Sequence, residues 1–554
     1  MYKSRKVSFL HLFVLCTSVF LVSVTNIPGV KMLVSFASAD TIPGGNVSGT
    51  WIQANSPYYI TGNITIPAGQ SLIINPGVEV NFLGNYGLTA NGILNAVGTA
   101  ADSILFFPEN TSTGWMGISL AASSAGQTNQ LSFCSVSYAG LSQSIHPGAL
   151  VLSNCYFSNS GGVLNWDAII SGSTLQITDC VFRDNASGNG AALILSSPPD
   201  LVEITGCLFE DNQSSGYGGA IFISGGSNSI DITDCTFLGN TAVDEGGAIF
   251  AYDVATTITV ENSLFGYNEC FGPGSWEGGG GICSWGTDFD LSYCLFYENE
   301  GTYAGAFNLN HLMGSASVTM DHCTVWGVSP FFQVFIGSSG STLSVSNGIF
   351  SHCDCAIYMN SGTVPDVEYT DFFDNGGDIQ PAGSVPAGFG VLTGTNYNGD
   401  PCDVYINIFL DPEFEDPFGD IFYLMVTSPC IDAGDPTFPY DPDGTITDMG
   451  MYYFNQTGTH GESPDELLPS GCLLLCSPNP CYELLTVFFD IPGQSVEELA
   501  VYSIDGRQVV DMTDLCGSGT REAVLDVSCL NEGIYFCRLK AGSSSGTGRF
   551  VVIR

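Results

Sequence analysis

The sequence predicts an all-β chain: a right-handed parallel β-helix followed by a small C-terminal β-sandwich. Three observations predict it. A short motif recurs as "CVFRDN" at Cys180, "CLFEDN" at Cys207, "CTFLGN" at Cys235, "SLFGYN" at Ser263 and "CLFYEN" at Cys294. Weaker copies at Cys134, Cys155, Cys323, Gly348 and Thr370 extend the series in steps of 21 to 31 residues. A second element follows most copies, such as "GGAIFIS" at 218, and a third precedes them, such as "VEITG" and "IDITD". Each element alternates apolar and other residues, which is the period of a strand, and no period holds a helical pattern.

One period therefore holds three short strands. A single coil cannot bury its apolar side, but stacked coils can, with like positions about 4.8 Å apart. The right hand follows the general preference of parallel crossovers. Cys207 and Phe209 stand two apart, so both face the inside of the coil and stack with their repeat equivalents; Ile221 joins them from the next element. The Asn closing each unit suits a bend, because Asn tolerates the left-handed conformation. The Gly pair gives freedom where the chain enters the next strand.

"GGAI" with "FxxN" resembles the paired repeat motif of chlamydial polymorphic outer-membrane proteins and of other bacterial surface β-helices. The resemblance covers roughly 180–310 well and the flanks loosely. It implies the coil architecture, which is also that of pectin-lyase-like proteins. It does not choose a function, because β-helices serve adhesins, lyases, hydrolases and passive stalks alike.

Charge constrains function more sharply. The formal net charge is −44, and residues 1–39 carry Lys3, Arg5, Lys6 and Lys31 and no acid. The remainder sets 55 acids against 7 basic residues, a net of −48, and Arg183 is the one basic residue between Asp40 and Gly506. Such a surface repels nucleic acid, anionic lipid and polyanionic sugars. Two readings stay open: plain solubility, or cation binding.

The first residues have a basic start, an apolar run and an A-x-A arrangement at Ala37 and Ala39. They read as a signal peptide, 1–39, cut between Ala39 and Asp40, with an uncleaved anchor as the alternative. Bulky Leu15 makes Cys16 a poor lipidation site. The mature chain has no other segment able to span a membrane. Of its 19 cysteines, seven (134, 155, 180, 207, 235, 294 and 323) sit at the repeat position and read as a ladder of small buried side chains. Cys353 and Cys355 are too irregularly placed for zinc, and no CxxC pair exists.

The β-helix is expected over 40–454, with an N-terminal cap over about 40–120 and a closing segment over about 400–454 that covers the open edge. The closing segment contains Asp441, Asp443 and Asp448 around Gly444. Alternating Asp with a Gly can wrap oxygen ligands around calcium, although Pro442 and the missing Glu spoil an EF-hand match. A capped, hydrogen-bonded Asp turn is the other reading. Residues 455–471 are polar with Pro and Gly and read as a linker.

Beyond the linker, 472–554 reads as about seven short strands, an immunoglobulin-like β-sandwich. It resembles the type A C-terminal sorting domain of the type IX secretion system. The carrying residues are Pro478, Asn479 and Pro480 in "SPNP", Gly506 in "VYSIDGRQV", Gly533 and Tyr535 in "GIYFCRL", and the terminal "RFVVIR". The resemblance implies type IX machinery as a partner, passage through a Gram-negative outer membrane and delivery to the medium or the outer cell surface. Cys476, Cys481, Cys516, Cys529 and Cys537 depart from the expected pattern.

Lyase chemistry of the pectate type needs a basic residue beside acidic metal ligands, and Arg183 has no basic neighbour in the sequence. The signatures "NTD", "GHG" and "RIK" of polygalacturonase-like hydrolases are absent. Asp184, Asp211 and Glu298 read as turn residues, and His146, His311, His322, His352 and His460 lie in no motif. Trp276 and Trp285 sit in an extended coil, where they stack on sugars or cover a bulge. The expectation is a non-catalytic adhesin or structural surface protein, with glycans or other surface ligands as partners. A hydrolase acting on neutral glycans through paired carboxylates is the alternative.

Overall fold

A computed structural model describes residues 39–100, 102–120, 127–144, 148–167, 172–226, 229–271, 278–310, 314–327 and 332–456. In the C-terminal region it describes 473–477, 484–490, 496, 498–503, 508–513, 522–527, 530, 533–541 and 544–552. From Asp40 to Gln380 the chain winds as a right-handed parallel β-helix. Sheet A, which opens with Asp40–Ile42, and sheet B, which opens with Gly45–Asn46, each stack 14 strands, and sheet C, which opens with Gly49–Trp51, stacks 13, every neighbour parallel and one coil away. The coils begin at once, with Asp40–Ile42 paired in register to Tyr58–Ile60. The stretch expected as an N-terminal cap is thus itself coiled.

The inward positions are those the alternation marks. Phe157, Phe182, Phe209, Phe237, Phe265 and Phe296 are fully buried and stack with centroids 4.7–5.1 Å apart. Beside them runs the cysteine ladder. The thiols of Cys180, Cys207 and Cys235 donate to the carbonyl two residues upstream at 3.3–3.4 Å. Burial pushes the Cys180 and Cys235 thiols up, so they remain protonated donors. Ser263, which replaces Cys in the series, donates the same way to Glu261 O at 2.9 Å.

The repeat Asn does not make the bend. The left-handed residue is the one before it: Asp184, Asp211 and Glu298 have φ of 55°, 53° and 48°. The side chains of Asn185, Asn212, Asn240, Asn268 and Asn299 are buried instead. Each of the first four donates through Nδ2 to the next Asn Oδ1 at 2.9 Å. A second Nδ2 bond goes to a Phe carbonyl of the preceding coil, as from Asn240 to Phe209 at 2.9 Å. A stacked amide can donate and accept at once, which satisfies buried corner backbone that a bend alone would leave open. These coils also gain a fourth, five-stranded ribbon of two-residue strands. In the Gly pair, Gly246 takes φ +70°, and a Cβ on Gly247 would stand 2.2 Å from Gly280 O. The first Gly turns the chain and the second lets adjacent coils touch.

The closing segment does more than cover the edge. Ile408 bridges Asp371 in parallel and prolongs sheet A. The chain then folds back along the outside of that sheet. Phe414, Phe422, Leu424 and Ile431 pack on outward-facing Leu295, Tyr297, Trp326 and Ile349 in a second hydrophobic cluster. In the C-terminal region, a three-stranded and a four-stranded antiparallel sheet share one core, including Leu485, Val487, Leu499, Val501, Cys537 and Leu539.

Candidate functional site

Sheet B carries aromatic residues on its outer face. Outward positions in successive coils are Phe222, Phe250, Cys283, Asn308, Phe335 and Tyr358, in one register column. A parallel column pairs Tyr252 with Trp285. Trp285 meets Phe250 and Tyr252 edge-on at 5.5 and 5.9 Å, and Tyr217 lies 4.7 Å from Phe250. Further along, Tyr303, Phe332, Phe335 and Tyr358 form a second group, with Phe332 and Tyr358 4.3 Å apart.

Between the two groups lies a polar gap. Glu245, 1% exposed, accepts at one oxygen from Trp285 Nε1 at 2.5 Å and from the Cys283 thiol at 2.8 Å. Its other oxygen accepts from Asn310 Nδ2 at 3.1 Å. Burial, then Glu245, pushes the Cys283 thiol up, which keeps it a donor. Asn308 is fully buried, and among the described residues its amide has neither a donor nor an acceptor partner. An orphaned buried amide costs about 1–3 kcal/mol, a cost that proteins tolerate mainly where a site uses it. The arrangement fixes a half-buried indole from behind, with Tyr217 and Tyr252 beside it and Phe250 buried against it.

Sequence reasoning named Trp285 but missed Glu245 and Asn308. The repeat held a signal for Glu245: it precedes the Gly pair where Tyr217 stands one coil earlier, and a charge at a half-buried repeat position needs a buried partner. Trp276 lies outside the described residues, as do Pro478, Asn479, Pro480 and Gly506. Gly533 and Tyr535 open the strand Gly533–Ala541, with Tyr535 buried in the sandwich core. Ala39 is exposed, and Asp40 accepts from Asn55 Nδ2 at 3.1 Å.

The three aspartates of the closing segment are each engaged by protein donors. Asp441 accepts from Asp448 N at 2.9 Å and Thr447 Oγ1 at 3.3 Å. Asp443 accepts from Thr445 N and Oγ1 at 3.1 and 2.7 Å and from Gln456 N at 2.8 Å. Asp448 accepts from Asp432 N at 2.7 Å and Phe454 N at 2.6 Å. Burial pushes Asp441 up to about 6 and Asp448 up to about 8. At Asp443 burial also pushes upward, but the hydrogen bonds outweigh it and hold the carboxyl low. Among the described residues, no group of three His, Cys, Asp or Glu is placed to hold a metal ion.

His322 joins this segment to the coils. Its Nδ1 lies 2.9 Å from Asp321 and its Nε2 lies 2.7 Å from Thr447 Oγ1. Tyr293 stacks on the ring at 4.5 Å, and Phe438 lies 4.8 Å away. The order Asp–His–Thr imitates a nucleophilic triad. Both His322 and Thr447 are 1% exposed, so here it works as a buried clamp.

Comparison with known proteins places the class. A family model described as the right handed beta helix region matches residues 90–237 and 219–399, together more than half of the chain, and the chain belongs to that family. The model of the secretion system C-terminal sorting domain matches 477–553. The protein is thus a β-helix protein with a type IX sorting tail, secreted or delivered to the cell surface. A solved structure titled as the crystal structure of pectate lyase Pel9A is similar at 14% identity and a TM-score of 0.34. That match covers 76% of this chain and 98% of the other. No curated protein matches. Among the described residues, no helix is long and apolar enough to cross a membrane.

Proposed function

We propose that the protein is a non-catalytic binding protein, exported behind a signal peptide over 1–39, that holds a neutral glycan against the outer face of sheet B. The observation that carries this reading is the Trp285 indole, anchored by Glu245 at 2.5 Å and ringed by Tyr217, Phe250 and Tyr252. A pre-fixed aromatic ring is a stacking platform with little ordering cost on binding. The scarcity of basic residues argues for neutral rather than anionic sugars. The test is a glycan array probed with the secreted chain and with Trp285→Ala. Binding lost in the variant supports the reading, and binding that survives it removes the platform from the explanation.

The hydrolase reading has one observation in its favour. A groove of about 380 Å³ on sheet C is lined by Glu203 and Asp231, which are register partners in adjacent coils. Coil spacing of about 4.8 Å is close to the roughly 5–5.5 Å between the carboxyls of retaining glycosidases. Yet Glu203 is tied to Gln176 Nε2 at 2.7 Å, Asp231 to Ser229 Oγ at 2.9 Å, and no aromatic side chain among the described residues lines that groove. Release of reducing ends from neutral polysaccharides, abolished by Glu203→Gln, would establish this alternative in place of ours.

A further inference from the structure

A second groove, of about 430 Å³, lies where the closing segment folds over sheet A. Ser351, His352, Asp411, Glu413, Phe414, Phe418 and Met425 are among its walls. The hairpin Phe414–Leu424 forms one side, and its tip is pinned to the coils. Tyr267 donates to both oxygens of Asp420 at 2.9 and 3.0 Å; burial, then Asp420, pushes this phenol up to about 12, so it stays a donor. Beside the pin, Phe418 is 80% exposed yet held edge-on against Trp326 at 5.3 Å and His352 at 6.3 Å. An aromatic ring fixed by its neighbours and left open to solvent is poised to stack on something outside the chain.

The polar inventory says what. Asp411 spends one oxygen on Glu413 N at 3.0 Å, and Glu413 spends one on the Thr427 hydroxyl. Each carboxylate keeps a second oxygen that no hydrogen bond among the described residues uses. Asp374, 70% exposed, lies 3.6 Å from His352 Nε2. The Ser351 hydroxyl is already shared with His352 Nδ1 at 2.7 Å. The groove therefore offers acceptors and a ring face, and its hydroxyl donors are spent. A guanidinium is all donors, planar, cationic and suited to stacking on an aromatic face. An arginine side chain is the form in which a polypeptide carries a guanidinium.

We propose that this groove is a receptor for an arginine side chain presented by a partner polypeptide, stacked on Phe418 and paired with Asp411 and Glu413. The site is separate from sheet B and does not depend on the glycan reading.

Calorimetric titration of the full secreted chain with Ac-Gly-Arg-Gly-NH₂ at physiological salt tests it. The citrulline peptide, planar but uncharged, is the comparison. Saturable one-to-one binding of the arginine peptide, at least about tenfold weaker for citrulline, is the expected result. Phe418→Ala should weaken binding about fivefold or more through the lost cation–π contact. That variant leaves the net charge unchanged, and its exposed site carries little of the fold. Glu413→Gln should weaken it as well while keeping the Thr427 bond. Equal binding of citrulline, no saturable binding, or affinity indifferent to both variants would overturn the proposal and leave only diffuse attraction to an acidic surface.

Discussion

Removing one rung of the asparagine ladder should unfold the coils around it. Asn240 donates to Phe209 O and Asn268 Oδ1 at 2.9 Å each, and accepts from Asn212 N at 3.1 Å and Asn212 Nδ2 at 2.9 Å. Asn240→Ala strips partners from Phe209 O, from the Asn212 backbone N–H and from one Asn212 amide hydrogen. Asn268 Oδ1 keeps the Asn240 backbone N–H at 3.0 Å. Three buried groups orphaned at about 1–3 kcal/mol each, with some relief from relaxation, give roughly 3–6 kcal/mol. Asn240→Asp should cost more, because a carboxylate accepts but cannot donate, and the charge is buried. A solenoid opens locally, so the readout is hydrogen exchange at the amides of Asn212 and its neighbours rather than a global midpoint. Gln213→Ala, exposed in the same coil, is the control. The double variant Asn212→Ala/Asn240→Ala should cost less than the sum, since both single variants lose the same Nδ2–Oδ1 bond between the two rungs. A cost below about 1 kcal/mol for Asn240→Ala, or strict additivity, would refute the ladder argument.

Phe209→Ala should destabilise the same coils by about 3–5 kcal/mol, seen by hydrogen exchange; a neutral effect would deny that its ring fills the core. Calcium tests the aspartate turn: at constant ionic strength the melting midpoint should stay put between chelator and millimolar calcium, since each of the three carboxylates already has protein donors. A calcium-dependent rise abolished by Asp443→Ala would instead make the turn a metal site. The raised Asp441 and Asp448, at about 6 and about 8, hold protons in the folded chain that the unfolded chain has lost above about pH 4. The stability they contribute is full below that pH and falls as pH rises to about 6 and about 8; the decline above pH 6 in a pH series of melts should vanish in Asp448→Asn. Deleting 472–554 should strand the chain in the periplasm of its host, and surface delivery of the truncated protein would contradict the role of the tail.

What was legible in the sequence was whatever one coil repeats to the next. Alternation put Cys207, Phe209 and Ile221 inside, and all three are buried. What depends on the neighbouring coil was not legible. Asn212 serves equally as a bend or as a stacked amide, and only Asn185 and Asn240 on either side decide between them. The fold-back of the closing segment was hidden for a different reason. Early in sheet A the outward positions include Arg183 and Glu210, which suit water. In later coils they become Leu295, Tyr297, Trp326 and Ile349. That shift announces a covering layer without saying which segment supplies it. Glu245 was missed because a single acid in a loop reads as solvated until Cys283, Trp285 and Asn310 arrive from other coils.

The acidity itself takes on a different meaning once the turns are seen. A net charge of −48 beyond residue 39 calls for compensation, because carboxylates on adjacent coils repel at about 1 kcal/mol per pair even in water. The chain answers many of them with donors of its own. Asp411, Asp416, Asp435 and Asp443 each accept from a backbone N–H two or three residues on. Asp403 accepts from Tyr405 N, Asn407 N and Gly390 N. Asp321 is half-buried, which pushes its carboxyl up, yet His322, Ser346 and Asn347 outweigh that and hold it low. These acids act as corner pieces of irregular backbone, a task that short carboxylates perform without any cation. The carboxylates with an oxygen left over are then the informative ones. Asp411 and Glu413 fall in this group, and they stand together beside an exposed ring. The place to look for a ligand is therefore not where acids are most numerous but where their hydrogen bonds stop short.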